Sequence, residues 1–179
     1  MMWLLWIGIG LVGTPVAIGL MLAIIGRGLP PDHVASCSVR IKQPPEAVWK
    51  VVADTARYAS WAWSVNRVER LADRNGNEVW KQVMGRNAFV LETTRIDPPR
   101  RLERTIAEDR MFGGTWTYEL VAESGGTRVR LTERGRVKAA IPRAMMKLFF
   151  GYHHYMAKHL ESLAQKFGEP QAVSDRTVG

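Results

Sequence analysis

The sequence predicts an α+β domain in which an antiparallel sheet is covered by one long C-terminal helix, placed behind a single membrane-spanning segment. Three observations carry that expectation. None of the 25 basic and 17 acidic residues precedes Arg27, so the chain opens on an uncharged apolar run. From Val65 to Val137, short alternating segments are separated by Asn75-Gly76, Pro98-Pro99, Gly113-Gly114 and Ser124-Gly125-Gly126, the turn chemistry of antiparallel neighbours. From Ile141 to Phe167, the residues Met145, Phe149, Tyr152, Met156, Leu160, Leu163 and Phe167 recur at spacings of three and four, which is one helical face. The length of 179 residues suits one domain with a real core beyond the apolar run. A single cysteine excludes a disulfide framework or a thiolate cluster supplied by this chain alone. The composition also excludes a disordered, collagen-like or polytopic membrane protein.

The apolar run spans residues 3–26, Trp3 to Gly26. As helix it would measure roughly 36 Å, enough for a hydrocarbon core of about 30 Å with some tilt. Trp3 and Trp6 suit the headgroup level, and Pro15 is tolerated in a span. A cleaved signal peptide is the rival, but the run is longer than the usual apolar core of one and no Lys or Arg precedes it. Val34-Ala35-Ser36-Cys37 loosely resembles a lipoprotein cleavage box, yet Arg27 and Pro30-Pro31-Asp32 separate it from the run. Arg27, Arg40, Lys42 and Lys50 follow the span, so the positive-inside tendency predicts a single-pass protein of the cell membrane with a cytoplasmic domain.

Residues 27–33 read as a linker that includes His33, residues 34–168 as the folded domain, and residues 169–179 as a disordered tail. Val34 to Lys42 reads as a strand. Pro45 suits the first position of a short helix whose N-terminal dipole Glu46 complements, and Ala47, Val48, Val51 and Val52 give it an apolar stripe. A helical turn over Thr55 to Trp61 follows. Six strands are expected next: Val65–Ala72, Glu78–Arg86, Ala88–Ile96, Arg101–Ala107, Thr115–Val121 and Thr127–Val137. Gly168 and Pro170 close the last helix.

This order, strand, two short helices, a run of antiparallel strands and a long last helix, resembles the START-like or helix-grip superfamily, in particular its polyketide cyclase/dehydrase-like (SRPBCC) branch. The residues that carry the resemblance are Pro45, Val48 and Trp49 at the start of the first short helix, then Asp54, Tyr58 and Trp61. Asp97-Pro98-Pro99-Arg100-Arg101-Leu102, between two central strands, adds to it. The resemblance covers roughly Val34 to Phe167. It implies a curved sheet gripping the helix around a hydrophobic cavity, and a lipid, sterol, polyketide or other apolar ligand. It leaves open whether there is chemistry; if there is, the implied type is cyclase or dehydratase.

Strand alternation indicates which residues would line such a cavity. Trp116, Tyr118 and Leu120 share one strand face, and Val129, Leu131, Glu133 and Val137 share the next. Phe89 and Leu91 are expected to point the same way, facing Met145, Phe149, Tyr152 and Met156 on the helix. Aromatics and methionines with a few polar tips suit an adaptable apolar site, while simple core filling is the plain alternative. Glu133 is the foremost ionisable candidate, as an acid or base or as a structural partner of Arg95 or Arg104, with Tyr118 and Tyr152 as weaker candidates.

His153, His154 and His159 lack the spacing that places two imidazoles on one side of a helix, so they are expected at the helix flank and no metal site or cofactor is predicted. No G-x-S-x-G elbow or phosphate loop occurs, and Cys37 on a strand reads as a small buried residue. A hydrolase, kinase or nicotinamide enzyme is therefore disfavoured. Arg128, Arg130, Arg134, Arg136 and Lys138 share the outward parity of one strand. Beside a bilayer such a stripe would contact anionic headgroups; with no recognisable nucleic-acid motif beside it, nucleic acid is not expected. Three functions follow: a membrane-anchored binder of a hydrophobic small molecule or lipid, a cyclase or dehydratase using the same cavity, or a solid protein-interaction module.

Overall fold

The computed structural model describes the backbone of residues 2–106, 112–169 and 173–178, with side chains described in those ranges except at 2–13, 150, 174–176 and 178. Helix α1 (Met2–Gly28) leads into β1 (Asp32–Ile41). Pro44, in extended conformation, then places Pro45 at the start of α2 (Pro45–Ala53), where a missing amide N–H costs nothing. A 3₁₀ turn over Thr55–Ser60 follows. Strands β2 (Arg67–Arg74) and β3 (Asn77–Met84) form the expected hairpin, with Asn75 at φ 50° and Gly76 at φ 81°. Strands β4 (Asn87–Asp97), β5 (Arg101–Ile106), β6 (Phe112–Glu123) and β7 (Gly126–Val137) continue the meander.

All pairings are antiparallel, and β1 closes against β7, giving the order β2-β3-β4-β5-β6-β7-β1-β8. On one face of this sheet lies α4 (His154–Lys166), whose Met156, Leu160 and Leu163 are fully buried with Ala35, Cys37 and Val39 of β1, Leu102 of β5, and Val129 and Leu131 of β7. Each such Leu, Met or Val side chain contributes on the order of 1.5–3 kcal/mol by leaving water. The same cluster takes in Val48 and Val52 of α2.

Four expectations change. The single helix over Ile141–Phe167 is instead α3 (Ala140–Met145), a π turn (Met146–Phe150) and α4. The break falls at Gly151, at φ 68°, a conformation glycine adopts without a Cβ penalty. The expected disordered tail contains β8 (Ser174–Val178), which pairs with β1 at Ala35↔Val178 and Ser36↔Thr177 and so covers an otherwise open sheet edge. His33 is not in a linker but in β1, opposite Gly135 of β7. Finally, no helix is long and apolar enough to cross a membrane over its fully described residues.

The end of α1 is nevertheless tied to the domain. The Arg143 guanidinium of α3 donates to the carbonyls of Gly26 at 3.0 Å and Leu29 at 2.8 Å, and to those of Val137 at 2.9 Å and Lys138 at 2.8 Å. It therefore caps the C-terminus of α1, where the helix dipole favours a cation, and holds it against the end of β7. Gly26 is close enough to Ala140 that a methyl group there would collide with the Ala140 carbonyl.

Candidate functional site

Strand register lines up one row of inward side chains across the sheet: Thr93, Arg104, Trp116, Glu133 and Ala35, on β4, β5, β6, β7 and β1. The neighbouring row ends in Gly114, Gly135 and His33, so two strands offer no side chain there. The His33 imidazole lies across that gap, close enough that a methyl on Gly135 would strike its ring. Two polar clusters result.

The deep cluster is centred on Arg104, which is 3 % exposed. Its guanidinium donates to the Tyr58 hydroxyl at 2.5 Å, the Thr55 hydroxyl at 2.5 Å, and the Val52 and Ala53 carbonyls at 3.4 and 3.3 Å. The Tyr58 hydroxyl in turn donates to the Val52 carbonyl at 2.5 Å. These bonds tie the end of α2 and the 3₁₀ turn onto β5. Beside them the Tyr118 hydroxyl and His159 Nε2 are 2.8 Å apart. Burial, with Arg104 nearby, pushes the His159 pKa down to about 3, and burial holds the Tyr118 phenol well above its ordinary range. Both are therefore neutral at pH 7. The rings of Tyr58, Trp61 and Trp116 surround His159 with centroids 5.8, 4.9 and 5.8 Å away.

The rim cluster lies nearer the start of β1. His33 Nε2 is 3.7 Å from Glu133 Oε1, an ion pair when the imidazole is protonated. The His33 ring stacks on Tyr152, centroids 4.0 Å apart and 20° from parallel. Burial raises the Tyr152 phenol pKa, and Arg143 opposes that rise. Among the described residues, the indole N–H groups of Trp116 and Trp61 are buried without a hydrogen-bond partner, as are His33 Nδ1 and Arg104 Nε. Trp61 belongs to the deep cluster, whereas Trp116 is the cross-strand neighbour of Glu133, and an unused buried donor at that position suits a ligand that brings its own acceptor oxygen.

The predicted site residues divide accordingly. Glu133 and Tyr152 both meet His33 at the rim, and Trp116 is the cross-strand neighbour of Glu133; Phe89 and Leu91 are half-buried farther along the same face, opposite Gln82 and Trp80. Tyr118, Leu131 and Met156 are 1 %, 0 % and 0 % exposed, and belong to the core rather than to an open wall. Met145 and Phe149 are corrected: the break at Gly151 leaves them at the surface, Phe149 at 70 % exposure. The partner of Glu133 is His33, because Arg104 is committed to Tyr58 and Thr55. His159 is a correction too, buried rather than at the flank; it lies three residues past Met156 and four before Leu163, a spacing that marks it on the apolar face.

The basic residues of β7 point outward, and several are paired: Arg128 with Glu123 at 2.6 Å, and Arg136 with Asp32 at 2.7 Å, which lowers the Asp32 pKa. A groove of about 330 Å³ opens at the end of β7, lined by Asp32, His33, Val34, Gly113, Gly114 and Arg134 to Arg136.

A sheet wrapped on a helix with an aromatic, polar-tipped inner face defines a helix-grip protein of the kind that takes hydrophobic ligands. Residues 32–168 match the family described as polyketide cyclase/dehydrase and lipid transport, and the chain belongs to that family. It is 28 % identical over 144 residues to the granaticin polyketide synthase bifunctional cyclase/dehydratase of Streptomyces violaceoruber, covering 75 % of this chain and 44 % of that one. The chain thus spans less than half of that relative. Among solved structures, the Zhui aromatase/cyclase of Streptomyces sp. R1128 matches with a TM-score of 0.63 at 16 % identity, over 75 % of this chain and 93 % of the other. A START superfamily protein of Mycobacterium smegmatis matches with a TM-score of 0.58 at 16 % identity, over 75 % and 99 %. These two likenesses show the fold.

Proposed function

We propose that the chain is a cyclase/dehydratase-type enzyme acting on an apolar, carbonyl-rich substrate, with Glu133 as the base. One observation carries this reading: Glu133 faces His33 at 3.7 Å, and its cross-strand neighbour Trp116 carries an unpartnered indole N–H. That is the minimum set for an aldol ring closure. The Glu133 carboxylate takes a proton from a carbon between two carbonyls, and the Trp116 N–H stabilises the enolate oxygen. The enolate carbon bonds to a second carbonyl carbon, whose oxygen regains the proton; loss of that hydroxyl with a neighbouring hydrogen releases water. His33 relays the proton to and from Glu133, and Tyr152 holds the imidazole in place by stacking. Tyr118 is excluded from this role by its burial and by its bond to His159. Support also comes from the cyclase/dehydratase relative.

The test is turnover of a short poly-β-ketone thioester. Glu133→Gln is expected to lower turnover roughly 100- to 10,000-fold while ligand affinity is retained. Unchanged turnover removes Glu133 from the mechanism, and retained ligand with no turnover in the native protein leaves a carrier instead.

Although no helix is long and apolar enough to cross a membrane over its fully described residues, the chain is further read as held at a membrane by α1, whose side chains are described from Thr14 on. Val16, Ile18, Leu20, Met21 and Ile24 are all at least half exposed, apolar surface that water does not favour. Flotation of the full chain with vesicles in high salt tests this; a protein that stays at the bottom of the gradient contradicts it.

A further inference from the structure

The exposed apolar side chains outside α1 are not scattered. Among the described residues, apart from Val34, Ile96 and Val121, every large one belongs to α3 and its π turn or to the pair Trp63 and Tyr155. Ile141, Met145, Leu148 and Phe149 are 40, 37, 52 and 70 % exposed, and Trp63 and Tyr155 are 53 and 45 % exposed. Trp63 meets Tyr155 with ring centroids 6.0 Å apart, at the start of α4 just beyond the break at Gly151. The flanking sequence is mostly basic, although Arg136 and Lys158 are paired with Asp32 and Glu161. From Arg134 to Leu160 the chain contains Arg134, Arg136, Lys138, Arg143, Lys147 and Lys158 and no carboxylate side chain. Apolar tips, a Trp/Tyr pair and a cationic flank are what the headgroup–acyl boundary of an anionic bilayer recognises. The position is also fixed, because Arg143 ties α3 to the end of α1 and α1 packs on α3.

We propose that Ala140–Phe150, with Trp63 and Tyr155, is a membrane-seated foot that holds the rim of the ligand site against the bilayer surface. Gly151 separates Phe149 from Tyr152 by a few residues, and Tyr152 stacks on His33. Apolar substrate therefore passes from the lipid to the rim without crossing bulk water. The foot rests on the reading of α1 as an anchor for its location and adds a second, shallow contact to it.

The test uses the full chain in vesicles of phosphatidylcholine and phosphatidylglycerol. Phe149→Cys, Ile18→Cys and Val121→Cys are each labelled with an environment-sensitive fluorophore, the native Cys37 being buried. Spin-labelled lipids are then added as quenchers. The expected result is blue-shifted emission and about twofold or greater quenching for the labels at 149 and 18, with the label at 121 remaining aqueous. A label at 149 that behaves like the one at 121, while 18 is quenched, overturns the foot and leaves the anchor standing. Quenching at 149 but not at 18 supports the foot and overturns the anchor. A blue shift at 149 that lipid spin labels do not quench shows a protein contact instead, which overturns the bilayer as the occupant.

Discussion

Arg104 and Glu133 lie two strands apart in one cross-sheet row, yet their surroundings differ in kind. Arg104 is enclosed, and its guanidinium is met by two hydroxyls and two backbone carbonyls that stitch α2 and the 3₁₀ turn to β5. Glu133 keeps 22 % of its side chain exposed and faces one imidazole at 3.7 Å, and its cross-strand neighbour Trp116 has an unused indole N–H. A charge whose partners are all protein groups stabilises one geometry. A charge with one long contact and idle neighbours has room for a ligand to complete the set. On the proposed reading, the deep cluster is the scaffold and the rim the reactive end.

The difference can be broken from either side. Glu133→Gln has the largest expected effect, the 100- to 10,000-fold fall in turnover, with little change in the urea midpoint. Arg104→Met works the other way. It leaves Tyr58 and Thr55 without their donor and should cost about 3 kcal/mol in urea unfolding, whatever it does to activity.

The pH dependence sharpens the contrast. His159 has a folded pKa of about 3 against an ordinary 6.5, so below 6.5 the unfolded chain takes up a proton that the folded one does not. Stability present above pH 6.5 is lost as pH falls toward 3, by about 1.4 kcal/mol per unit from this site. His159→Gln should flatten that acid limb by one proton's slope in unfolding measured across the range. The smallest effect is expected for Tyr118→Phe, about 1 kcal/mol of stability for one lost hydrogen bond, with turnover intact. Lost turnover there would move chemistry into the deep cluster.

Much of the fold is legible in the chain because its signals are local. Asn75-Gly76 demands the hairpin, and strand parity alone puts Glu133 and Trp116 on the inner face. Tyr58 and Trp61, which carried the resemblance on spacing, meet Arg104 and His159. What was not legible depends on partners distant in sequence. The apolar period runs unbroken through Gly151, and only packing decides that Met156 is buried while Phe149 faces outward. His33 resembled linker because its partners, Gly135 and Glu133, are a hundred residues away along the chain. Ser174–Val178 forms a strand only because β1 has a free edge to offer.

The most direct measurement is a structure of the protein with a planar aromatic ketone of the size of a cyclised product. The ketone oxygen is predicted to lie within hydrogen-bond distance of the Trp116 indole N–H, with the ring edge beside Glu133 and His33. A ligand seated in the groove between Asp32 and Arg136, leaving Trp116 and Glu133 untouched, would contradict the assignment of the rim as the reactive end.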